Sequence, residues 1–96
     1  SESESLFQQA LKTDNNPIMK LCLGNVYLKL NKLDQAEETY QHILNDHAEL
    51  VTQATWYLAL THLQKGKLEK AKSNLWKISK SSTYGEKARK LLKDLD

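Results

Sequence analysis

The sequence predicts an all-α chain of antiparallel helical hairpins stacked one on the next, with about six helices and the last of them a cap. Three observations predict it. One proline and three glycines in 96 residues leave too little turn chemistry for an all-β protein, which needs such punctuation about every ten residues. A pattern running from Leu23 to Ala36 returns from Leu58 to Ala71 at a constant offset of 35 residues, and continues with Tyr40 over Leu75 and Ile43 over Ile78. The columns of that repeat make physical sense for helix pairs: small residues recur at Gly24 and Ala59 and again at Ala36 and Ala71, where two helices must approach closely.

Each element follows in order. Leu6, Phe7, Ala10 and Leu11 have helical spacing and predict a helix over 4–13, stopped by Thr13-Asp14-Asn15-Asn16-Pro17. Ser1-Glu2-Ser3-Glu4-Ser5 ahead of it has the composition of a linker, so residues 1–16 are expected to be a linker and the remnant second helix of an upstream hairpin in a longer array. Pro17 suits the first turn of a helix over 17–30. That helix must end near Asn31, a residue type that tolerates a left-handed C′ conformation, as Gly66 does 35 positions on. Helices over 33–46 and 68–79 then start with an acidic residue in the first turn, Asp34 and Glu69, where the helix dipole favours it. Between them a helix is expected over 49–65. The last, over 83–95, carries Ala88, Leu91, Leu92 and Leu95 on one stripe against Lys87, Arg89, Lys90 and Lys93, with Thr83 and Glu86 spaced as a capping box. The division predicted is 17–48 for a first repeat, 49–82 for a second and 83–96 for the capping helix.

Composition excludes more than it selects. With 40% apolar and 27% charged residues the chain fits one small globular domain. The longest apolar-rich stretch, Trp56 to Leu63, is broken by Thr61 and His62 and is too short to cross a bilayer. Cys22 has no second cysteine to pair with, which suits the cytoplasm without excluding an oxidising compartment. Charge is polarised: from residue 65 onward ten Lys and Arg stand against four acids, a net of +6, while the first 64 residues carry four against eight, a net of −4.

No constellation for catalysis emerges. His42, His47 and His62 lack the spacing of a metal set, and no cysteine or second carboxylate completes one. His62 alone, at a helix-packing position, is a candidate for a buried, pH-sensitive group. Cys22 has no neighbouring base to make it a nucleophile, and Asp34, Glu37 and Glu38 read as the charge pattern of a solvated helix. No glycine-rich phosphate loop exists, so no catalytic residue, metal ligand or cofactor is predicted.

Leu23, Gly24 and Tyr27, the twelve-residue step from Gly24 to Ala36, and then Tyr40 resemble the tetratricopeptide repeat; Trp56, Tyr57, Leu58 and Ala59 with Gly66, Ala71 and Leu75 resemble it again. Trp56 lies one position later than the family's usual aromatic, His62 stands where Tyr27 stands in the first copy, and the spacing of 35 implies one extra residue around Asn45 to Glu49. The resemblance implies an α-α superhelix without enzymatic activity that holds a protein or peptide on a concave face. Family positions on that face fall on Ile18, Leu21, Asn25, Leu28 and Lys29, then on Gln53, Trp56, Leu60, Leu63 and Gln64, with Trp56 expected at the centre. The family's clamp for acidic peptide C-termini is matched at Asn25 and Lys29 but not at Leu21 or Tyr57, which favours an apolar helix or extended segment as ligand.

Ala54, Trp56 to Leu60, Lys70-Ala71-Lys72 and Ser82-x-Tyr84-x-x-Lys87-Ala88 are similar to the ends of bacterial envelope-associated tetratricopeptide proteins. That likeness implies the cytoplasm or periplasm as location and supplies an alternative role, a structural spacer or self-association module, a homodimer included, of a larger membrane-tethered protein. The cationic face of the last helix lacks interleaved exposed aromatics, so nucleic acid is not an expected partner, and neither is direct membrane insertion of this segment.

Overall fold

The computed structural model describes residues 16–96, and among them the chain is all-helical, with no strand. Five α-helices are present: α1 (Pro17–Lys29), α2 (Leu33–Asp46), α3 (Val51–Gln64), α4 (Leu68–Lys77) and α5 (Gly85–Leu95), with a 3-10 turn at Ala48–Leu50 before α3. The helix expected over 4–13 lies outside the described residues. Each element packs mainly on its neighbours in the chain, so α1 and α2 form one hairpin, α3 and α4 a second, and α5 closes onto α4.

Local chemistry sets the ends. Asn16 caps α1, its side chain accepting from the Ile18 amide at 2.9 Å, with Pro17 in the first turn where a missing N–H costs nothing. Asn31 and Gly66 both take positive φ, 62° and 78°. Around each the same pair of bonds closes the helix: Asn31 N to Leu28 O and Lys32 N to Tyr27 O in the first hairpin, Gly66 N to Leu63 O and Lys67 N to His62 O in the second. These are the two bonds of a Schellman motif, so the sequence repeat is also a repeat of backbone geometry. The connection lengthened by the extra residue holds the 3-10 turn, where Leu50 N bonds to His47 O at 3.0 Å.

Three boundaries differ from the sequence reading by two residues: α3 begins at Val51 after the 3-10 turn, α4 ends at Lys77, and α5 begins at Gly85. The capping box at Thr83 does not form; α5 begins at Gly85 without a side-chain cap from its N-cap residue. Ser81 takes over instead, its Oγ accepting from the amides of Thr83 and Tyr84 at 3.1 and 3.2 Å. The reason lies in packing. A Cβ on Gly85 would stand 2.8 Å from the Ser79 carbonyl oxygen, and the Arg89 guanidinium donates to that same oxygen, so the first turn of α5 is pressed onto the end of α4.

Two clusters make the core. Leu23, Tyr27, Ala36, Tyr40, Ile43, Leu50, Ala54 and Leu58 join the first hairpin to α3, and Ala59, Leu75, Ile78, Ala88 and Leu92 join the second hairpin to α5. The small residues sit as the repeat requires: Ala36, Ala59 and Ala71 are fully buried, and a Cβ on Gly24 would meet Tyr40 Cε1 at 2.6 Å. No helix among the described residues is long and apolar enough to cross a membrane.

Candidate functional site

The first helices of the two hairpins, α1 and α3, flank a groove of about 450 Å³ lined by Asn25, Leu28, Lys29, Asn31, Tyr57 and Gln64. A helix offers residues three, four and seven apart to one side. On α3 this spacing brings Tyr57 and Gln64 to the side that faces α1, and on α1 it brings Asn25, Leu28 and Lys29 to the other wall.

Aromatic packing holds the groove floor. Tyr40 of α2 is fully buried, stacks on Tyr57 with ring centroids 6.0 Å apart, and donates its hydroxyl to Asn25 Oδ1 at 2.5 Å. That bond occupies the amide oxygen of Asn25 and leaves its NH₂ to donate elsewhere. Burial, and next the neighbouring Tyr57, raise the Tyr40 hydroxyl well above the usual phenol range, so it stays a donor at any physiological pH. Lys29 is exposed and is the one formal charge on the groove lining.

The residues singled out from sequence therefore divide. Asn25, Leu28, Lys29 and Gln64 line this groove. Leu21 is half-buried against the first core cluster, Ile18 is exposed at the start of α1, and Gln53, Leu60 and Leu63 are half-buried on α3 without a place in the lining. Trp56, expected at the centre, is not on the groove. It packs on the second core cluster with its ring stacked on Tyr84 at 5.6 Å, and Lys87 Nζ lies 5.9 Å from the other ring's centroid. One helical step of 100° separates Trp56 from Tyr57: the Trp56 ring stacks on Tyr84, while Tyr57 lines the groove and still reaches Tyr84 through a hydroxyl hydrogen bond. Burial, then Tyr57, also raises the Tyr84 hydroxyl.

Tyr57 and Asn31 are the lining residues that sequence reasoning placed elsewhere, one as a mismatch to a clamp and the other as a helix terminator. Their signal was present in the repeat: Tyr57 follows Trp56 on a helix whose neighbour groove lies one position round.

A polar network ties the hairpins together on the far side of α3. Glu37 was expected on a solvated face, yet only 21% of its side chain is exposed, and it is the hub. Its Oε2 accepts from Lys65 Nζ at 2.8 Å, its Oε1 lies 3.0 Å from His62 Nε2, and Lys67 approaches at 3.7 Å. Lys65 also reaches Asp34 at 2.6 Å. The bond from Lys65 leads in holding the Glu37 carboxyl down at about 2, against the opposing effect of burial and with further help from His62 and Lys67. Asp34 and then Glu37 in turn raise the Lys65 ammonium above its ordinary range. His62 is buried, as expected, and its Nδ1 stands 2.7 Å from Asn74 Oδ1. An amide presents oxygen or nitrogen after a half turn, so Asn74 can partner either state of the ring. No group of three or more His, Cys, Asp or Glu that could hold a metal exists among the described residues.

Against known families, the decisive stretch is the first hairpin from Leu23 onward. Residues 23–45 match the tetratricopeptide repeat. The matched span runs from the buried Leu23 and Gly24 of α1, through the left-handed Asn31, to the last turn of α2, and it supports a tetratricopeptide family for this helical chain. Repeats of this kind generally mediate protein–protein interaction and are typically non-catalytic. No curated protein matches the chain.

Proposed function

We propose that this chain is a non-catalytic interaction scaffold that holds an extended segment of a partner protein in the groove between α1 and α3. The observation that carries it is the lining itself: Leu28 and the Tyr57 ring supply apolar surface, while Asn25, Asn31, Gln64 and Lys29 supply donors and acceptors for a peptide backbone. The preset NH₂ of Asn25 strengthens the reading, because a donor fixed before binding loses little freedom on binding. The partner-binding set becomes Asn25, Leu28, Lys29, Asn31, Tyr57 and Gln64, with Trp56 assigned to the packing of α5. The division into repeats over 17–48 and 49–82 with a cap over 83–96 belongs to the same proposal, supported by the twice-used Schellman geometry.

The test is selection of peptides from a displayed random library on the 96-residue chain, followed by calorimetric titration of the winners against two variants. Leu28→Ala and Lys29→Glu are expected each to weaken a selected peptide by about 1–2 kcal/mol while leaving helical content unchanged. Peptides that bind both variants as well as the original chain would place the binding surface elsewhere.

A further inference from the structure

The polar network on Glu37 opens onto a pocket of about 240 Å³. Glu37 and Gln41 line it from α2, Lys70, Ser73, Asn74 and Lys77 from α4, and His62 from α3. The four residues of α4 are three, four and seven apart, so they fall within an arc of roughly 100° on one side of that helix. Lys70 and Lys77 are exposed and make no ion pair among the described residues. Glu37, the carboxylate of the lining, is already committed to cations: Oε2 to Lys65 at 2.8 Å, and Oε1 to His62 at 3.0 Å with Lys67 at 3.7 Å. Glu69, next to Lys70 in the chain, is exposed and outside the lining. The uncompensated charge of the pocket is therefore the pair of lysines.

Asn74 adds a second signal. It is only 7% exposed, one end of its amide is taken by His62 Nδ1 at 2.7 Å, and the other end has no protein partner among the described residues. Which end that is depends on the ring. Nε2 of His62 faces a carboxylate, which only accepts, so Nε2 carries a hydrogen. When Nδ1 is protonated as well, it donates to Oδ1 of Asn74 and leaves the NH₂ to the pocket; when Nδ1 is bare, it accepts from the NH₂ and leaves Oδ1. A charged ring thus gives the pocket a donor, and a neutral ring gives it an acceptor. The charged groups around that ring are Glu37 on α2, Lys70 and Lys77 on α4, and Lys65 and Lys67, which reach Glu37 from the α3–α4 turn.

We propose that this pocket binds a phosphate-type oxyanion, held by the Lys70 and Lys77 ammonium groups with Ser73 and the Asn74 NH₂ as further donors, and that His62 takes up a proton as the anion enters. The two lysines leave the helix about 10 Å apart along its axis, with the neutral donors between them. Several donors converging from one wall suit an anion with several oxygens and two charges better than a lone carboxylate. Free phosphate and a phosphoryl group on a partner's side chain offer the same chemistry. The coupling is reciprocal: as far as the anion favours the charged ring, the charged ring favours the anion. The site is independent of the groove, which lies between α1 and α3.

The experiment is an NMR titration of the isotope-labelled full chain with sodium sulfate, at constant ionic strength, at about pH 5.5 and about pH 8, on either side of an ordinary histidine. Sulfate keeps both charges across that range, so a change in affinity belongs to the protein. Saturable shifts are expected in the amides of 70–77 and in the His62 ring, with binding at least threefold tighter at the lower pH. The His62 ring titration should move to higher pH with sulfate present, while those of His42 and His47, outside the pocket, stay in place. Lys70→Ala combined with Lys77→Ala is expected to weaken binding at least tenfold. Lys90→Glu combined with Lys93→Glu, on α5, should change it less than twofold. Inorganic phosphate and a short phosphoserine peptide are then compared at about pH 7. Peptide binding at least tenfold tighter supports the site with a phosphorylated protein segment as its source, and comparable binding supports it with the free anion.

Absence of saturable shifts at both pH values overturns the proposal. So does equal loss from the α5 pair, which would mean diffuse attraction without a site. A sulfate affinity unchanged between the two pH values, or a His62 titration that ignores sulfate, overturns it as well, because the ring would then have no part in the site. All four substituted lysines are exposed, so the variants keep the fold.

Discussion

Gly24 and Gly66 occupy related hairpins but are glycine for opposite reasons, and substitution separates them. At Gly24 the backbone is ordinary helix and the obstacle is an atom, since an added Cβ would lie 2.6 Å from Tyr40 Cε1. At Gly66 nothing stands within 4 Å, and the obstacle is the dihedral, φ 78°. Gly24→Ala is therefore expected to cost about 1–3 kcal/mol by forcing the α1–α2 contact apart. Gly66→Ala is expected to cost about 1 kcal/mol through backbone strain alone. The two mechanisms part company with asparagine: Gly66→Asn should recover most of the loss, because Asn31 already adopts φ 62° at the matching position, whereas Gly24→Asn should be worse than Gly24→Ala. Urea denaturation followed by circular dichroism reads all four; equal costs for alanine and asparagine at position 66 would contradict the dihedral argument.

At the scale of elements, what joins one hairpin to the next is partly apolar, through Tyr40, Leu50, Ala54 and Leu58, and partly the network on Glu37. The network links α2 to α3, to the α3–α4 turn at Lys67 and, through His62, to Asn74 of α4. Its pH dependence follows from the sign of one shift. Glu37 titrates at about 2 in the folded chain, down from an ordinary 4.5, so the unfolded chain takes up the proton first as pH falls. The stabilisation is complete above about pH 4.5 and is lost between there and about 2. Solvent reaches Glu37 and its cations and screens their pairing, so its contribution is about 1 kcal/mol. Glu37→Gln should accordingly lower stability by that amount at pH 7 and have nearly the stability of the original chain at pH 2. The check is a pair of urea-midpoint profiles against pH: curves that stay parallel down to pH 2 would remove Glu37 as the hub.

For the whole molecule, the sequence made the helices, their small contact residues and their left-handed ends legible, because each depends on residues close in the chain or on the 35-residue recurrence. What it left obscure depends on rotation about a helix axis and on pairs far apart. Glu37 and Lys65 are 28 residues apart, and only the stacking of α2 on α3 brings them together. Trp56 and Tyr57 are adjacent, and 100° of rotation stacks one ring on Tyr84 and puts the other on the groove lining. Trp56 is thus a whole-molecule residue: with Tyr84 and Lys87 it fastens α5 to the second core cluster. The consequence can be measured as a coupling. Trp56→Ala is expected to cost about 2 kcal/mol, less than a fully buried tryptophan because its ring is half-buried. Tyr84→Ala should cost less, and the double variant should fall short of the sum by about 0.5–1.5 kcal/mol, the range for a stacked aromatic pair. A peptide selected on the original chain should bind Trp56→Ala within about twofold, provided the titration is run well below the denaturation midpoint. Additive stabilities would show that the stacking contributes nothing beyond burial. A large loss of affinity with stability unchanged would return Trp56 to the binding surface and move the groove's centre from α1–α3 to α3–α5.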